Sequence, residues 1–284
     1  MSLTAVPNVS IFTEPDVDEL RAAVTATRAQ LLDVHADADH ARAVLTLAGE
    51  PADLLDAVAG IVRATATWDL SRHRGVHPRL GIVDVIPFVA LDATPNTAVA
   101  AARAAADLVG ATGLPVYLYG AAAAREETRT LPQLRKGGLD GLMERASRGL
   151  LPDAGPSTID THRGVVCVGA RGPLIAFNVW TDAPIEVART VAAALRSPDE
   201  VRALAFSLED RGRRQVSMNL VAPERVGIDE AFERARRELR NHGHDVVATE
   251  IVGLVAERFL PNPDAEAARF LIEPGRSIES LLRD

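Results

Sequence analysis

Hydrophobic residues recur at helical spacing between Asp16 and Gln30, where Val17, Leu20, Ala23 and Val24 share a face that Thr27 continues. This is the period of a one-sided helix, and Pro15 stands near its start, where proline is tolerated. The pattern then changes. Leu31 to His35 is short and apolar, Ala36 to Ala41 is polar, and Arg42 to Ala48 (RAVLTLA) alternates and is rich in branched residues, so the segment predicts a strand pair. From Pro51 to about Trp68 the helical period returns, with Leu54, Leu55, Val58, Ile61 and Val62 on one face, and Val83 to Val89 resumes strand character. With a first strand at Ala5 to Val9 the order is β-α-β-β-α-β, the split βαβ unit.

The second half repeats this order. Pro173 to Trp180 (PLIAFNVW) reads as a strand and Asp182 to Arg196 as a helix with Ile185, Val187, Ala188, Val191, Ala194 and Leu195 apolar. Val201 to Val221 reads as a hairpin turning at Asp210 to Arg213. A helix from Gly227 to His242 and a strand from Val246 to Val255 complete the second unit. A repeated supersecondary unit locates domain boundaries better than any single element does. Between the units lie an alanine-rich helix (Thr97 to Thr112), a strand (Pro115 to Gly120), a helical stretch bearing Arg and Gly, and the segment LLPDAGPSTIDTHRG, which suits either a linker or a ligand loop.

Composition narrows the function. At 284 residues the chain has room for two ordinary domains, and its formal net charge of -8 argues against a general nucleic-acid binder. An anionic ligand must then meet a local basic patch. The lone Cys167 excludes an intramolecular disulfide framework and fits a reducing compartment. No apolar run of membrane length and no signal-peptide pattern is read, so the expectation is a cytoplasmic protein without a membrane partner.

Two clusters carry candidate chemistry. SRHRGVHPRLG (Ser71 to Gly81) holds two histidines and three arginines. His73 and His77 are four apart, as in zinc helices, but Gly75 between them and Pro78 after them oppose a shared helical face. A solvated basic loop is one reading. The other is an anion-binding acid/base loop, in which His77 moves a proton while Arg72 and Arg79 fork onto carboxylates. DVHADADHAR (Asp33 to Arg42) is the second cluster, and Asp37, Asp39 and His40 there suit a divalent metal, a proton relay or plain turn geometry. Arg211, Arg213 and Arg214 at the predicted hairpin tip suit either solvent or a polyanionic tail. No dinucleotide fingerprint, phosphate loop or nucleophile elbow is present.

These residues carry a family resemblance. VPN near the start, LLDVHADADHARAVLTLAG, SRHRGVHPRLGIVDVIPF, LPVYLYG, DAGPSTIDTHRGVVCVGARGPLIAFNV, QVSMNL and EIVGLV follow in order the motifs of the glutamate formimidoyltransferase (formiminotransferase) family, over nearly the whole chain. The resemblance implies an α/β fold of two ferredoxin-like subdomains, 1–173 and 174–284, with a ligand cleft between them, and a cytoplasmic homodimer. It implies transfer of a formimidoyl group from N-formimino-L-glutamate to N5 of tetrahydrofolate, a step of histidine degradation, with tetrahydrofolate as acceptor substrate and no metal. His77, the second histidine of H-x-G-x-H-P-R, takes the place of the family's catalytic acid/base. The folate-binding segment falls on Gly155, Pro156, Ser157, Thr158, Ile159, Asp160, Thr161, His162, Arg163 and Gly164. His35, Asp39, His40, Arg42 and Arg79 are the candidates for the substrate, Arg42 and Arg79 by charge and geometry for its carboxylates. The chain departs from the family in Ala41, where an asparagine is usual, and in Ala154 and Arg163, where aromatics are usual. A formyl donor, a folate or small-acid binder without turnover, and metal-dependent hydrolysis by Asp37, Asp39 and His40 stay open as alternatives.

Overall fold

Residues 3–75, 79–91, 93–208 and 213–283 are described by the computed structural model. The chain divides into two compact units, 1–171 and 172–284. The first contains β1 (Leu3–Ala5), β2 (Asn8–Ser10), α1 (Glu14–Thr25), β3 (Gln30–Asp37), β4 (Arg42–Gly49), α2 (Pro51–Ala64), β5 (Val83–Ala90), α3 (Pro95–Gly110), β6 (Val116–Gly120), α4 (Leu131–Arg135), α5 (Gly138–Ser147) and β7 (Val166–Arg171). The predicted first strand is broken into β1 and β2 at Pro7, which has no N–H to give a ladder. Both pieces still pair antiparallel with β4 and β5. With β3 beside β4, the first four strands of the split βαβ order form one antiparallel sheet. β7 and β6 extend it, running parallel to β5.

Strand alternation sorts this sheet into two faces. Leu31, Leu45, Leu47, Val9, Ile86 and Phe88 join Leu20 and Val24 of α1, Leu54, Val58 and Ile61 of α2, and the Ala101, Ala102, Ala105 and Val109 stripe of α3 in the main core. The cross-strand partners Asp33 and Thr46, His35 and Val44, and Asp37 and Arg42 take the other face. Asn8 and Ser10 continue it, because they pair with Val44 and Arg42. So do Val85, Cys167 and Tyr117 across β5, β7 and β6. At that end Leu134 of α4 and Leu142 of α5 cover Val85, Tyr117, Tyr119 and Cys167 in a second, smaller core. One sheet face therefore runs from apolar, under α4 and α5, to polar on β2, β4 and β3.

The second unit holds β8 (Ile175–Thr181), α6 (Ile185–Leu195), β9 (Val201–Leu208), β10 (Arg213–Leu220), α7 (Ile228–Asn241) and β11 (Ala248–Val252). Its strands pair antiparallel in the order β11-β8-β10-β9. The strand order of the first four strands of unit one is the same, with β1 and β2 counted as one. Three expectations shift. Ala36 and Asp37 belong to β3 and not to the loop; the helix expected to reach Trp68 ends its α turns at Ala64; β7 is a strand that the pattern did not single out. Of the hairpin arginines, Arg213 and Arg214 open β10 and Arg211 lies outside the described residues.

Candidate active site

Asp37 closes β3 and accepts the backbone N–H of His40, three residues on, at 2.9 Å, a side-chain bond that braces the turn by which the chain reverses into β4. His40 is buried within that turn, and Ala41 completes it in the left-handed region with φ 46°. The positions read from sequence as a cluster thus separate. His35 and Arg42 share the polar sheet face with Asp37, His40 is packed inside the turn, and Asp39 is half-buried on it. Gly75 runs against the same turn: a Cβ there would lie 2.1 Å from the carbonyl oxygen of His40, so only glycine fits. His77, with Val76 and Pro78, lies outside the described residues.

The three arginines of the 71–81 stretch have different fates. Arg74 is exposed and donates to the carbonyls of Ser71 and His73 at 2.7 and 3.0 Å, whereas the Arg72 guanidinium lies over the Phe12 ring, 4.9 Å from its centre. Arg79 is buried. Its Nη1 donates to Asp84 Oδ2 at 3.2 Å, with side-chain exposures of 2% and 0%. Asp84, near the start of β5, also accepts the N–H of Leu80 at 2.8 Å on Oδ1 and the Nη2 of Arg135, the last residue of α4, on Oδ2. One carboxylate therefore serves two guanidinia and a backbone amide. Nε and Nη2 of Arg79 and Nε of Arg135 are buried with no hydrogen-bond partner.

Arg42 feels the same group. Burial and the neighbouring charge of Arg79 lower its pKa to about 10, with Asp37 acting in the opposite direction. Burial also lowers Arg79, against the pull of Asp84. In Arg135 burial is outweighed, and the facing Asp84 carboxylate leaves it raised. All three stay charged at neutral pH. Three cations beside Asp37 and Asp84 leave one positive charge in excess, in a chain whose formal charge is -8. Desolvated cations lacking a full set of acceptors favour an anion, and guanidinia match carboxylates two bonds at a time. Nearby, burial pushes the Tyr119 hydroxyl and the Cys167 thiol each up to about 12, so both are neutral and Cys167 is no nucleophile.

The 155–164 stretch is an exposed loop fastened at both ends. Gly155 and Gly164 take φ 81° and 69°, and Gly110 at the end of α3 makes room for the entry, since a Cβ there would stand 2.6 Å from the Gly155 nitrogen. At the exit, Gly164 bridges Gly81, Val165 donates to the carbonyl of Leu80 at 2.9 Å, and Ile82 donates to Arg163 at 3.2 Å. These bonds place the loop's exit beside the residues that follow Arg79. Its far side is tied to 66–70: Leu70 donates to the His162 carbonyl at 2.7 Å, and Arg163 Nη1 donates to the Ala66 carbonyl at 2.5 Å. The His162 ring lies 3.1 Å from Asp69 Oδ1, a hydrogen bond that raises the histidine's pKa, while bonds from Ser71 first and His162 next bring Asp69 down to about 2. Ile159 packs on the smaller core and Asp160 accepts the N–H of His162. Pro156, Ser157, Thr158 and Thr161 face solvent.

Two members of the site escaped the sequence reading. Asp84 carried a signal, a lone carboxylate inside the apolar strand GIVDVIPF. Arg135 carried none, because its tie to Asp84 spans 51 residues. Among the described residues no three His, Cys, Asp or Glu side chains converge as metal ligands would, so Asp37, Asp39 and His40 do not form such a centre. No helix among them is long and apolar enough to cross a membrane.

The N-terminal subdomain model of the formiminotransferase domain matches residues 2–171, and the formiminotransferase domain model matches 176–278. A glutamate formimidoyltransferase of Thermoplasma acidophilum is 38% identical over 277 residues, covering 92% of this chain and 90% of that protein. One of Streptococcus pyogenes serotype M1 is 35% identical over 260 residues, with 86% and 87% covered. The formimidoyltransferase-cyclodeaminase of Sus scrofa is 34% identical over 287 residues, and there the match takes 94% of this chain but 52% of the relative.

Proposed function

The chain belongs to the formiminotransferase family, and on that premise we propose that it transfers the formimidoyl group of N-formimino-L-glutamate to N5 of tetrahydrofolate, releasing L-glutamate. It is a one-carbon transferase. N5 attacks the amidine carbon, a tetrahedral centre forms, and its bond to the glutamate nitrogen breaks. N5 must give up a proton and the departing nitrogen must take one. We assign both transfers to His77, on the family motif, since a histidine titrates near the working pH and can hold the proton between the two events.

The observation that supports this reading is the charge-surplus arginine group of half-buried Arg42 and buried Arg79. The donor is a dicarboxylate, and the polar end of the sheet face offers the cations that such a molecule needs in a protein whose net charge is negative. His35, Asp39 and His40, on or beside that face, are proposed contacts for its amidine. The fastened loop from Gly155 to Gly164 is the proposed seat of the folate. Its ends are held by glycine-dependent bridges, so the exposed middle is presented without depending on its own side chains for shape. Arg163 is engaged with a backbone carbonyl, so it replaces the family's usual aromatic as a brace and not as a stacking surface. We take the enzyme to be a homodimer of the cytoplasm, for which light scattering would give twice the chain mass.

The test is direct. Purified protein is incubated with tetrahydrofolate and either N-formimino-L-glutamate or N-formyl-L-glutamate, and the folate products are weighed by mass spectrometry. Formation of 5-formimidoyltetrahydrofolate with stoichiometric glutamate is the expected result. A formyl product alone moves the enzyme to the formyl donor, and no product with either, alongside retained folate binding, makes the chain a binder.

A further inference from the structure

The geometry points to Asp84 as a positioning residue and to Arg135 as a donor-binding residue: the single carboxylate ties Arg79 and Arg135 into a pair whose remaining N–H groups take a carboxylate of the substrate. The inference rests on the reaction proposed above and goes further, in naming two residues that neither the sequence motifs nor the family's signature assigns.

A buried ion pair that served only the fold would be saturated, because each idle donor taken out of water is a loss with nothing in return. Here the arrangement is lopsided. Asp84 is fully buried and accepts donors from Leu80, Arg79 and Arg135. Arg79, with its side chain 2% exposed, keeps Nε and Nη2 unengaged, and Nε of Arg135 is likewise unengaged. A second carboxylate completes both guanidinia, and Arg42 adds a third cation to the same field. The two arginines come from distant parts of the chain, Arg79 from the histidine-rich loop and Arg135 from the end of α4, so something must hold their planar forks in register. Asp84 does so, with Oδ2 taking both guanidinia and Oδ1 taking the Leu80 N–H. A lysine in place of Arg135 would supply charge without the fork.

Full-length Asp84→Asn and Arg135→Gln, singly and combined, test this. Each single change is expected to raise the KM for N-formimino-L-glutamate by about tenfold or more, with kcat and the tetrahydrofolate KM within about twofold, and the double change to be less than additive because either one dissolves the same pair. Glutarate, used as a dicarboxylate probe in calorimetric titration, should lose affinity about tenfold in both variants, and Arg135→Lys should recover only part of it. Should Asp84→Asn fail to fold, Arg135→Gln carries the test, since that side chain is partly exposed on α4. Unchanged donor KM and glutarate affinity in folded variants overturn the inference and leave the reaction intact. Equal losses for both substrates overturn it too, marking a brace of the fold. A wild type that binds glutarate through Arg135 yet transfers nothing overturns the reaction and supports the anion site.

Discussion

The two units solve the same folding problem with the same strand order and fill their interiors differently. In the second, the buried polar residues among those described are Asn178, Thr181, Gln215, Thr249 and Ser277, none of them charged. In the first they include Asp37, His40, Arg79 and Asp84. Burying ions costs more than burying amides and hydroxyls, and replacing an ion pair by apolar groups is often neutral or stabilising. A sheet that folds without buried charge in one copy does not need it in the other. The charges of the first unit are therefore read as serving a ligand, and the neutral unit is the internal control.

The largest effect that would sharpen this contrast is on the reaction. His77→Ala should lower the transfer rate about 10²- to 10⁴-fold, the usual worth of a positioned acid/base, while tetrahydrofolate binding by titration stays within about twofold. A smaller loss would move the proton work to another group, with His35 next in line on the polar face.

Stability provides the second contrast. Asp84→Ala strands two guanidinia, and breaking a buried pair from one side costs about 3–5 kcal/mol, read as a fall in urea midpoint. Thr249→Val in the second unit removes a hydroxyl whose bond to the Ala267 carbonyl is 3.5 Å long, and should cost about 0.5 kcal/mol. Comparable losses in the two variants would erase the distinction between the units.

The same asymmetry explains how much could be read from the sequence. The repeated helix periods were legible because α1, α2 and α6 each bury one face only, which leaves a period of 3.6 in the residue order, while β3 and β4 stood out as branched, apolar runs on either side of a polar turn. β7 was not, because VVCVGAR is apolar on both faces, under α3 on one side and beneath α4 and α5 on the other, and a strand buried on both faces shows no alternation. The site split likewise. The 33–42 and 71–81 clusters are local in sequence and stood out by composition. That Asp37, Arg42 and His35 share a face follows from register, whereas the joining of Arg79, Asp84 and Arg135 depends on α4 folding back onto the sheet. No local pattern encodes that return.

Gly164→Ala, set against Gly243→Ala, separates conformational strain from the cost of holding the loop. Both glycines have positive φ, 69° and 80°, so each alanine should lose about 1–2 kcal/mol to the left-handed conformation. Gly243 has open space around it. At Gly164 the new Cβ would stand 2.0 Å from the Leu80 carbonyl oxygen, which must move with the bridge to Gly81. The first-unit variant should thus melt lower than the second-unit one and also lose affinity for tetrahydrofolate by about tenfold, as expected when a preorganised loop is released. Equal melting losses with unchanged folate affinity would detach the loop from the acceptor.

The smallest expected effect runs in the stabilising direction. Ala41 holds φ 46° in the turn between β3 and β4, a conformation that costs an ordinary L-residue about 1–2 kcal/mol and that asparagine tolerates better. Ala41→Asn should raise stability by about 0.5 kcal/mol, measured as a shift in urea midpoint. Ala41→Gly relieves the same strain of about 1–2 kcal/mol and loses about 0.4–1 kcal/mol to the greater freedom of the unfolded chain, so it too should gain about 0.5–1 kcal/mol. The pair separates backbone relief from side-chain chemistry. If Asn also speeds transfer while Gly does not, the gain belongs to an amide placed between His40 and Arg42 at the edge of the charged face; if both leave the rate alone, the asparagine usual in the family serves the turn and not the substrate.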